Sequence, residues 1–277
     1  VFGVVDGILT ANPGASYFKW DCNSPITNIY SPYLNDRQEQ MYIDHVRGLY
    51  NVLRRVREKY PDVPMMMCSG GGARCDYEAM KYFTEFWCSD NTDPFERLYI
   101  QWGFSQFFPA KAMCAHVTGW NGSTSVKFRT DVASMCKLGF DMDLKSLSAE
   151  ELEFCRQAVM TWKEFRPAIM DGNQYRLVSP YETNHMALNY VNDDRTQAVL
   201  FAYDIHPRFG EKLLPVKLQG LDPGRMYRIT EVNLMPGTES SLDVDGKVLS
   251  GDFLMKVGLD VLSAREASSR VIAITAE

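Results

Sequence analysis

The texture of the chain changes once, near Asp171-Gly172, and that change limits what it can fold into. Before it, short apolar runs alternate with segments of helical period. After it come short β-rich runs at Tyr175–Val178, His185–Val191, Gln197–Tyr203, Leu213–Leu218, Met226–Val232, Phe253–Val257 and Arg270–Ala276, separated by turn signals such as Asp222-Pro223-Gly224. Alternation of strand and helix builds a parallel sheet, whereas consecutive short strands build an antiparallel sandwich. The expected division is therefore residues 1–170 and 171–277, and 277 residues suffice for two cores.

In the front part, Ser16–Trp20 is an apolar run ending in Asp21. Met41, Ile43, Val46, Leu49, Leu53 and Val56 recur at helical spacing over 34–59, until Pro61-Asp62 stops the helix. Val63–Cys68 reads as a strand opening into Gly70-Gly71-Gly72, followed by a helix over Tyr77–Glu85 and a strand over Phe86–Ser89. Asp93-Pro94 starts a helix running to Phe108, since proline suits the first helical turn. A strand is expected over Ala112–Val117, a helix over Ser123–Leu138 and a weak strand over Gly139–Asp141. Ser148 and Glu151 form a capping box for a long helix expected to end near Arg166-Pro167.

Charged or glycine-rich residues sit at the C-terminal ends of these strands, the face that carries the active site in a (β/α)₈ TIM barrel. Such a barrel needs eight strands, and this part supplies about five. The fold class is thus α/β plus all-β: about the last five βα units of a TIM barrel, followed by an antiparallel β-sandwich. An upstream part is expected in the parent protein. Strand edges left unpaired by its absence would favour self-association.

The net charge of −6, with basic residues scattered, points away from nucleic acid and anionic membrane surfaces. No run approaches the ~20 apolar residues needed to span a bilayer. The start, Val1-Phe2-Gly3-Val4-Val5, lacks a basic leader and reads as no signal peptide, so cytoplasmic and periplasmic locations both stay open. Seven cysteines form no CxxC pair and favour a reducing compartment, and four histidines lack ligand spacing. No metal site is expected.

Chemistry is carried by three strand ends. Lys19 and Asp21, two residues apart in a strand, project to one face, where the cation would favour an ionised carboxylate. The loop Cys68-Ser69-Gly70-Gly71-Gly72 offers a tight turn at positive φ or, alternatively, close backbone approach to a ligand. Of two carboxylates after the next strand, Asp93 precedes Pro94 and is the natural N-cap, which leaves Asp90 for chemistry. Phe86 and Trp87 would give Asp90 an apolar wall, the environment that raises the pKa of a general acid.

Lys19-Trp20-Asp21-Cys22-Asn23, Cys68-Ser69-Gly70-Gly71-Gly72 and Ser89-Asp90-Asn91-Thr92-Asp93, in this order, resemble the motifs of the α-galactosidases of glycoside hydrolase family 36. The similarity continues through Gln101-Trp102-Gly103 and Ala115-His116-Val117. The resemblance implies a retaining mechanism without cofactor, with Asp21 as nucleophile and Asp90 as general acid/base. It further implies galactose contacts from Lys19, Cys68 and Gly71, and Asn23, Gly70 and Trp87 are counted with them as substrate-binding candidates. The implied substrates are galactosides of the melibiose and raffinose type, and the implied full-length enzyme is a homo-oligomer.

Ser24 stands where many members have Arg, and Ala73 and Cys75 where many have Gly and Phe, which touches the outer pocket rather than the aspartates. The adjacent-aspartate motif that grips the 4- and 6-hydroxyls in the family has no counterpart here, because Asp193-Asp194 falls in the back part. Rival readings are an α-N-acetylgalactosaminidase, a raffinose-synthase-like galactosyl transferase and, from another class, a non-catalytic carbohydrate-binding module.

Overall fold

The computed structural model describes residues 1–21, 27, 29–120 and 123–277, which separate into two compact units, Val1–Asp90 and Asn91–Glu277. Among the described residues no helix is long and apolar enough to cross a membrane.

The first unit holds helices α1 (Phe2–Ala11) and α2 (Met41–Lys59) and strands β1 (Phe18–Asp21), β2 (Met65–Cys68) and β3 (Glu85–Trp87). The three strands are parallel, with Trp20 opposite Met67, Asp21 opposite Cys68 and Met67 opposite Phe86. All four residues of β2 are buried, as expected for a strand covered on both faces. Helix α2 buries Leu53 and Val56, and near its end the Arg57 guanidinium donates to the carbonyls of Val63 (2.7 Å) and Pro61 (3.2 Å) and, through Nε, to that of Tyr82 (3.0 Å). Arg57 thereby ties the end of α2 to the chain leading into β2 and β3. Helix α1 is held by Asp6, which accepts from Tyr60 Oη at 2.6 Å and pairs with Lys59.

One sequence expectation fails in this unit. The segment Tyr77–Glu85 makes only a single 3₁₀ turn, Ala79–Lys81. Asp76 accepts from the Ala79 N–H at 2.7 Å and starts that turn. Thr84 then exchanges hydrogen bonds with the Met65 backbone at 3.1 and 3.0 Å, drawing the chain into the sheet before a second turn can form.

The second unit begins with α3 (Pro94–Phe104), β4 (Met113–Thr118), α4 (Val126–Ser134), β5 (Lys137–Asp141) and α5 (Ala149–Asp171), with β4 and β5 parallel. Asp93 caps α3, its carboxylate accepting from the N–H groups of Phe95 (2.9 Å) and Glu96 (3.2 Å). The Ser148–Glu151 capping box opens α5. That helix does not stop at Pro167, which lies inside it. Its last turn buries Ala168, Ile169 and Met170, and this burial offsets the hydrogen bond that proline removes.

Gly172 then turns the chain into a six-stranded antiparallel sheet. A Cβ at Gly172 would lie 2.4 Å from the Val191 carbonyl oxygen, so only glycine lets the helix end this close to the sheet. The strands are β6 (Asn173–Val178), β7 (His185–Val191), β8 (Gln197–Asp204), β9 (Met226–Val232), β10 (Val248–Ser250) and β11 (Ser268–Ala276), in the order β10-β9-β11-β8-β7-β6. Ala198, Leu200 and Ala202 of β8 enter a core with Val216, Leu218, Leu254 and Leu259. On the opposite face Tyr203 donates to the Asp131 carbonyl (2.7 Å) and Tyr190 to the Met135 carbonyl (2.8 Å), which fixes the sheet to α4 and to the turn after it.

Two expected strands are something else. Leu213–Leu218 contributes one isolated bridge, Val216 to Leu259, and Phe253–Val257 falls in a short helix, α6 (Gly251–Lys256). Ser250 caps α6 by accepting from the Phe253 N–H at 3.2 Å, and Asp252 occupies its first turn. Those helix-start signals outweigh an apolar run compatible with either structure.

Candidate active site

Strand β1 exposes Lys19 and Asp21 on one face and buries Trp20 on the other. The parallel register sets Asp21 beside Cys68 and places Lys19, Met66 and Glu85 in one row across the three strands. The Lys19 ammonium stands 5.4 Å from the centre of the buried Trp87 ring. The indole face expected as a wall for Asp90 is thus turned to a cation, an attraction that steadies a long side chain over the sheet.

Cys68 is the hub. Its Sγ lies 3.8 Å from Asp90 Oδ1, in donor geometry. Burial pushes its thiol pKa up, and the negative charges of Asp21 and Asp90 push it further, while the Gly71 backbone N–H and Lys19 pull the other way. The thiol is therefore neutral, a weak donor between two carboxylates. Cys68 is opposite Asp21 in the sheet register and its Sγ reaches Asp90, so both strand ends open on the same locus.

The glycine loop shapes that locus. Gly70 and Gly71 take φ values of 56° and 84°. The Ser69 N–H returns to the Gly71 carbonyl at 2.8 Å, and the Gly72 N–H reaches the Cys88 carbonyl at 3.1 Å. A Cβ on Gly71 would sit 2.6 Å from Ser89 Cα, so the loop presses directly on the segment that delivers Asp90. The positive-φ turn is real, and it also sets the approach of two strand exits.

Lys19, Asp21, Cys68, Gly71, Trp87 and Asp90 are thus linked through contacts within the first unit, with Gly70 exposed beside them. Asn23 lies outside the described residues. Glu85 is absent from the sequence-derived set, yet it is 6% exposed and shares the row of Lys19. Period-two alternation with Trp87 on β3 is the signal that would have pointed to it.

Two cavities of about 340 and 350 Å³ in the same unit lie on the other face of the sheet, lined by Met67 and Trp20 respectively and sharing His45, Leu49 and Arg74. Enclosed volume and carboxylate chemistry therefore part company here. The smaller cavity is bordered by Tyr50, whose hydroxyl donates to Asp76; burial and the Asp76 charge push that phenol's pKa well up.

Comparison with known proteins adds an independent finding. Residues 1–172 match the family model described as Melibiase, and residues 185–274 match that of the glycosyl hydrolase family 36 C-terminal domain. Alpha-galactosidase 1 of Pediococcus pentosaceus is 34% identical over 234 residues, 82% of this chain and 32% of that protein. Alpha-galactosidase AgaA of Geobacillus stearothermophilus is 32% identical over 245 residues, 86% of this chain and 34% of that protein. The crystal structure of an AgaA variant in complex with raffinose superimposes with a TM-score of 0.89 at 30% identity, covering all of this chain and 37% of the other. The chain spans about a third of the length of the curated relatives it matches. In the fold of these neighbours the parallel strands are TIM-barrel strands and the antiparallel sheet is the C-terminal β-domain.

Proposed function

The chain belongs to the α-galactosidases of glycoside hydrolase family 36, and on that premise we propose that it carries both catalytic carboxylates of a retaining α-galactosidase. The observation that carries this reading is the placement of Asp21 opposite Cys68 in the sheet register and of the Cys68 Sγ 3.8 Å from Asp90 Oδ1.

Asp21, exposed at the end of β1 in company with Lys19, attacks the anomeric carbon of a terminal α-galactosyl unit. Asp90 protonates the departing glycosidic oxygen, and a covalent galactosyl–enzyme forms. Asp90 then takes a proton from water, which attacks the same carbon and releases galactose with its configuration retained. Lys19 and the Cys68 thiol are donors placed to meet sugar hydroxyls, and Gly70 and Gly71 let the backbone come close to the ring. No step calls for a metal or organic cofactor, since two carboxylates suffice.

The proposed substrates are α-galactosides of the melibiose, raffinose and stachyose type. AgaA variants of Geobacillus stearothermophilus have been crystallised with raffinose and with stachyose. Residues 1–170 are proposed as the barrel portion and 171–277 as the β-domain, and the full-length enzyme as a homo-oligomer, which sedimentation would test.

The deciding experiment is hydrolysis of an α-galactoside by the full-length parent enzyme, followed by nuclear magnetic resonance of the first-formed sugar. Asp21→Asn should abolish turnover. Asp90→Asn should slow hydrolysis of raffinose, whose sugar leaving group needs protonation, by about 10²–10⁴, as expected for loss of a general acid. Release of β-galactose first, or full activity in either variant, would overturn the assignment.

A further inference from the structure

A second concave site lies within the unit Asn91–Glu277. The turn before β7 and the segment after β8 meet where the Ile205 N–H reaches the Asn184 carbonyl at 2.9 Å. Between them opens a cavity of about 690 Å³, within the range of small-ligand sites. Its floor carries Glu211, which accepts from the Asn184 amide at 3.2 and 3.3 Å and from the Arg208 backbone N–H at 2.9 Å. Those donors hold the Glu211 carboxyl below its usual range, so it stays an acceptor near neutral pH.

Two aromatic rings line this polar floor in an unusual state. Tyr181 is 66% exposed, and the Phe209 side chain stands wholly in solvent. Tyr181 is also braced, edge-on to Tyr99 at 5.3 Å between centroids, with its hydroxyl on the Tyr99 carbonyl. Large apolar groups left bare beside a polar cavity mark a surface with a ligand to cover them.

Beneath the floor lies His185, only 3% exposed. Its Nδ1 is 2.8 Å from Asp204 Oδ1, while its Nε2 is buried with no hydrogen-bond partner among the described residues. That Nε2 is aimed at Glu211 Oε2, 3.7 Å away and too far to bond.

Aromatic faces beside a fixed carboxylate and an exposed guanidinium match one chemical class. A pyranose ring presents a C–H face of partial positive charge to an aromatic ring, and its hydroxyls both donate to carboxylates and accept from Arg. We propose that this cavity is a second, non-catalytic saccharide site that takes a terminal hexose unit of a galactosyl oligosaccharide. The choice of a galactoside rests on the activity proposed above; the existence of a saccharide site does not.

The test uses the whole chain carrying Asp21→Asn, so that sugar is not consumed. Saturation-transfer nuclear magnetic resonance would follow raffinose, with maltose as control, in the presence of saturating 1-deoxygalactonojirimycin to occupy the catalytic locus. Residual raffinose binding is expected, weakened about tenfold or more in a Tyr181→Ala/Phe209→Ala variant whose melting temperature is unchanged, because both rings are exposed. Glu211→Gln should weaken it as well. Absence of residual binding, or residual binding indifferent to the double variant, would overturn the proposal. Equal, ring-dependent binding of maltose would keep the saccharide site and overturn its preference for galactosides. Failure of the catalytic reading would appear separately, as lack of hydrolysis by the full-length parent enzyme.

Discussion

Asp131 in the second unit and the pair Asp21 and Asp90 in the first are all carboxylates, yet the fold treats them differently. Asp131 is completely buried on α4, and its oxygens accept from Lys127 Nζ at 2.5 Å, Ser269 Oγ at 2.7 Å and Asn233 Nδ2 at 3.0 Å. Ser269 ties the carboxylate to β11 and Asn233 to the residue after β9, while Lys127 closes a pair within α4. Asp21 and Asp90 are exposed at strand ends, and the partner that Asp90 has in Cys68 is a weak donor. A carboxylate saturated by protein donors holds the fold. One left open toward solvent keeps its capacity for a substrate.

The largest expected contrast follows from that difference. Asp21→Asn should abolish galactoside turnover while leaving the melting temperature near that of the parent. Asp131→Asn should do the opposite: it leaves the half-buried Lys127 ammonium facing a neutral amide, and breaking a pair whose carboxylate is fully buried costs about 3–5 kcal/mol. That loss lowers the melting temperature by roughly 10 °C or more, with activity per folded molecule retained. Calorimetry and single-turnover kinetics on both variants decide the matter. Equal destabilisation would erase the distinction between the two kinds of carboxylate.

The two kinds were unequally legible in the sequence. Asp21 and Asp90 stand out because strand-end chemistry is local: an apolar run, then an acid. The separation of Asp90 from Asp93 followed from Pro94 alone, and the cap is where Pro94 put it. Asp131 gave no signal, because its partners Asn233 and Ser269 lie 102 and 138 residues away. The same logic sorts the fold. Parallel strands and capped helices were readable from periodicity and first-turn residues. The Tyr77–Glu85 segment was not, since Thr84 pairs with Met65 across the sheet, and neither was the passage of α5 through Pro167, which rests on burial of the last turn. At the site, the glycine run was visible, but the fit of Gly71 against Ser89 was not.

That fit gives the next sharper test. Ala at position 71 would meet Ser89 Cα at 2.6 Å in a backbone conformation with φ of 84°, strain of about 1–3 kcal/mol. The clash falls on the residue before Asp90, so turnover should drop even in molecules that stay folded. Gly70→Ala, at φ 56° and exposed, should cost about 1–2 kcal/mol from left-handed backbone alone. It should leave the position of Asp90 unchanged. A fall in turnover with Gly71→Ala alone would mean that the loop sets the acid's position; equal falls would mean that it acts through its turn or its approach to the sugar instead.

The smallest effect concerns protons rather than contacts. Tyr50 donates to Asp76, and burial together with that carboxylate raises its phenol pKa above the ordinary value near 10. The folded state therefore holds the proton more tightly than the unfolded one. Stability from Tyr50 is fully present below pH 10 and is lost as the pH climbs from there through the folded pKa. Tyr190 and Tyr203 in the second unit, fully buried, shift in the same direction with burial as the leading cause. Melting temperature measured between pH 8 and 11 should thus decline above about pH 10. Tyr50→Phe should remove part of that decline and leave the share of Tyr190 and Tyr203 in place. Identical curves for Tyr50→Phe and the parent would show that Tyr50 contributes nothing to the alkaline loss, which would then rest on other raised groups, Tyr82 in the first unit and Tyr190 and Tyr203 in the second.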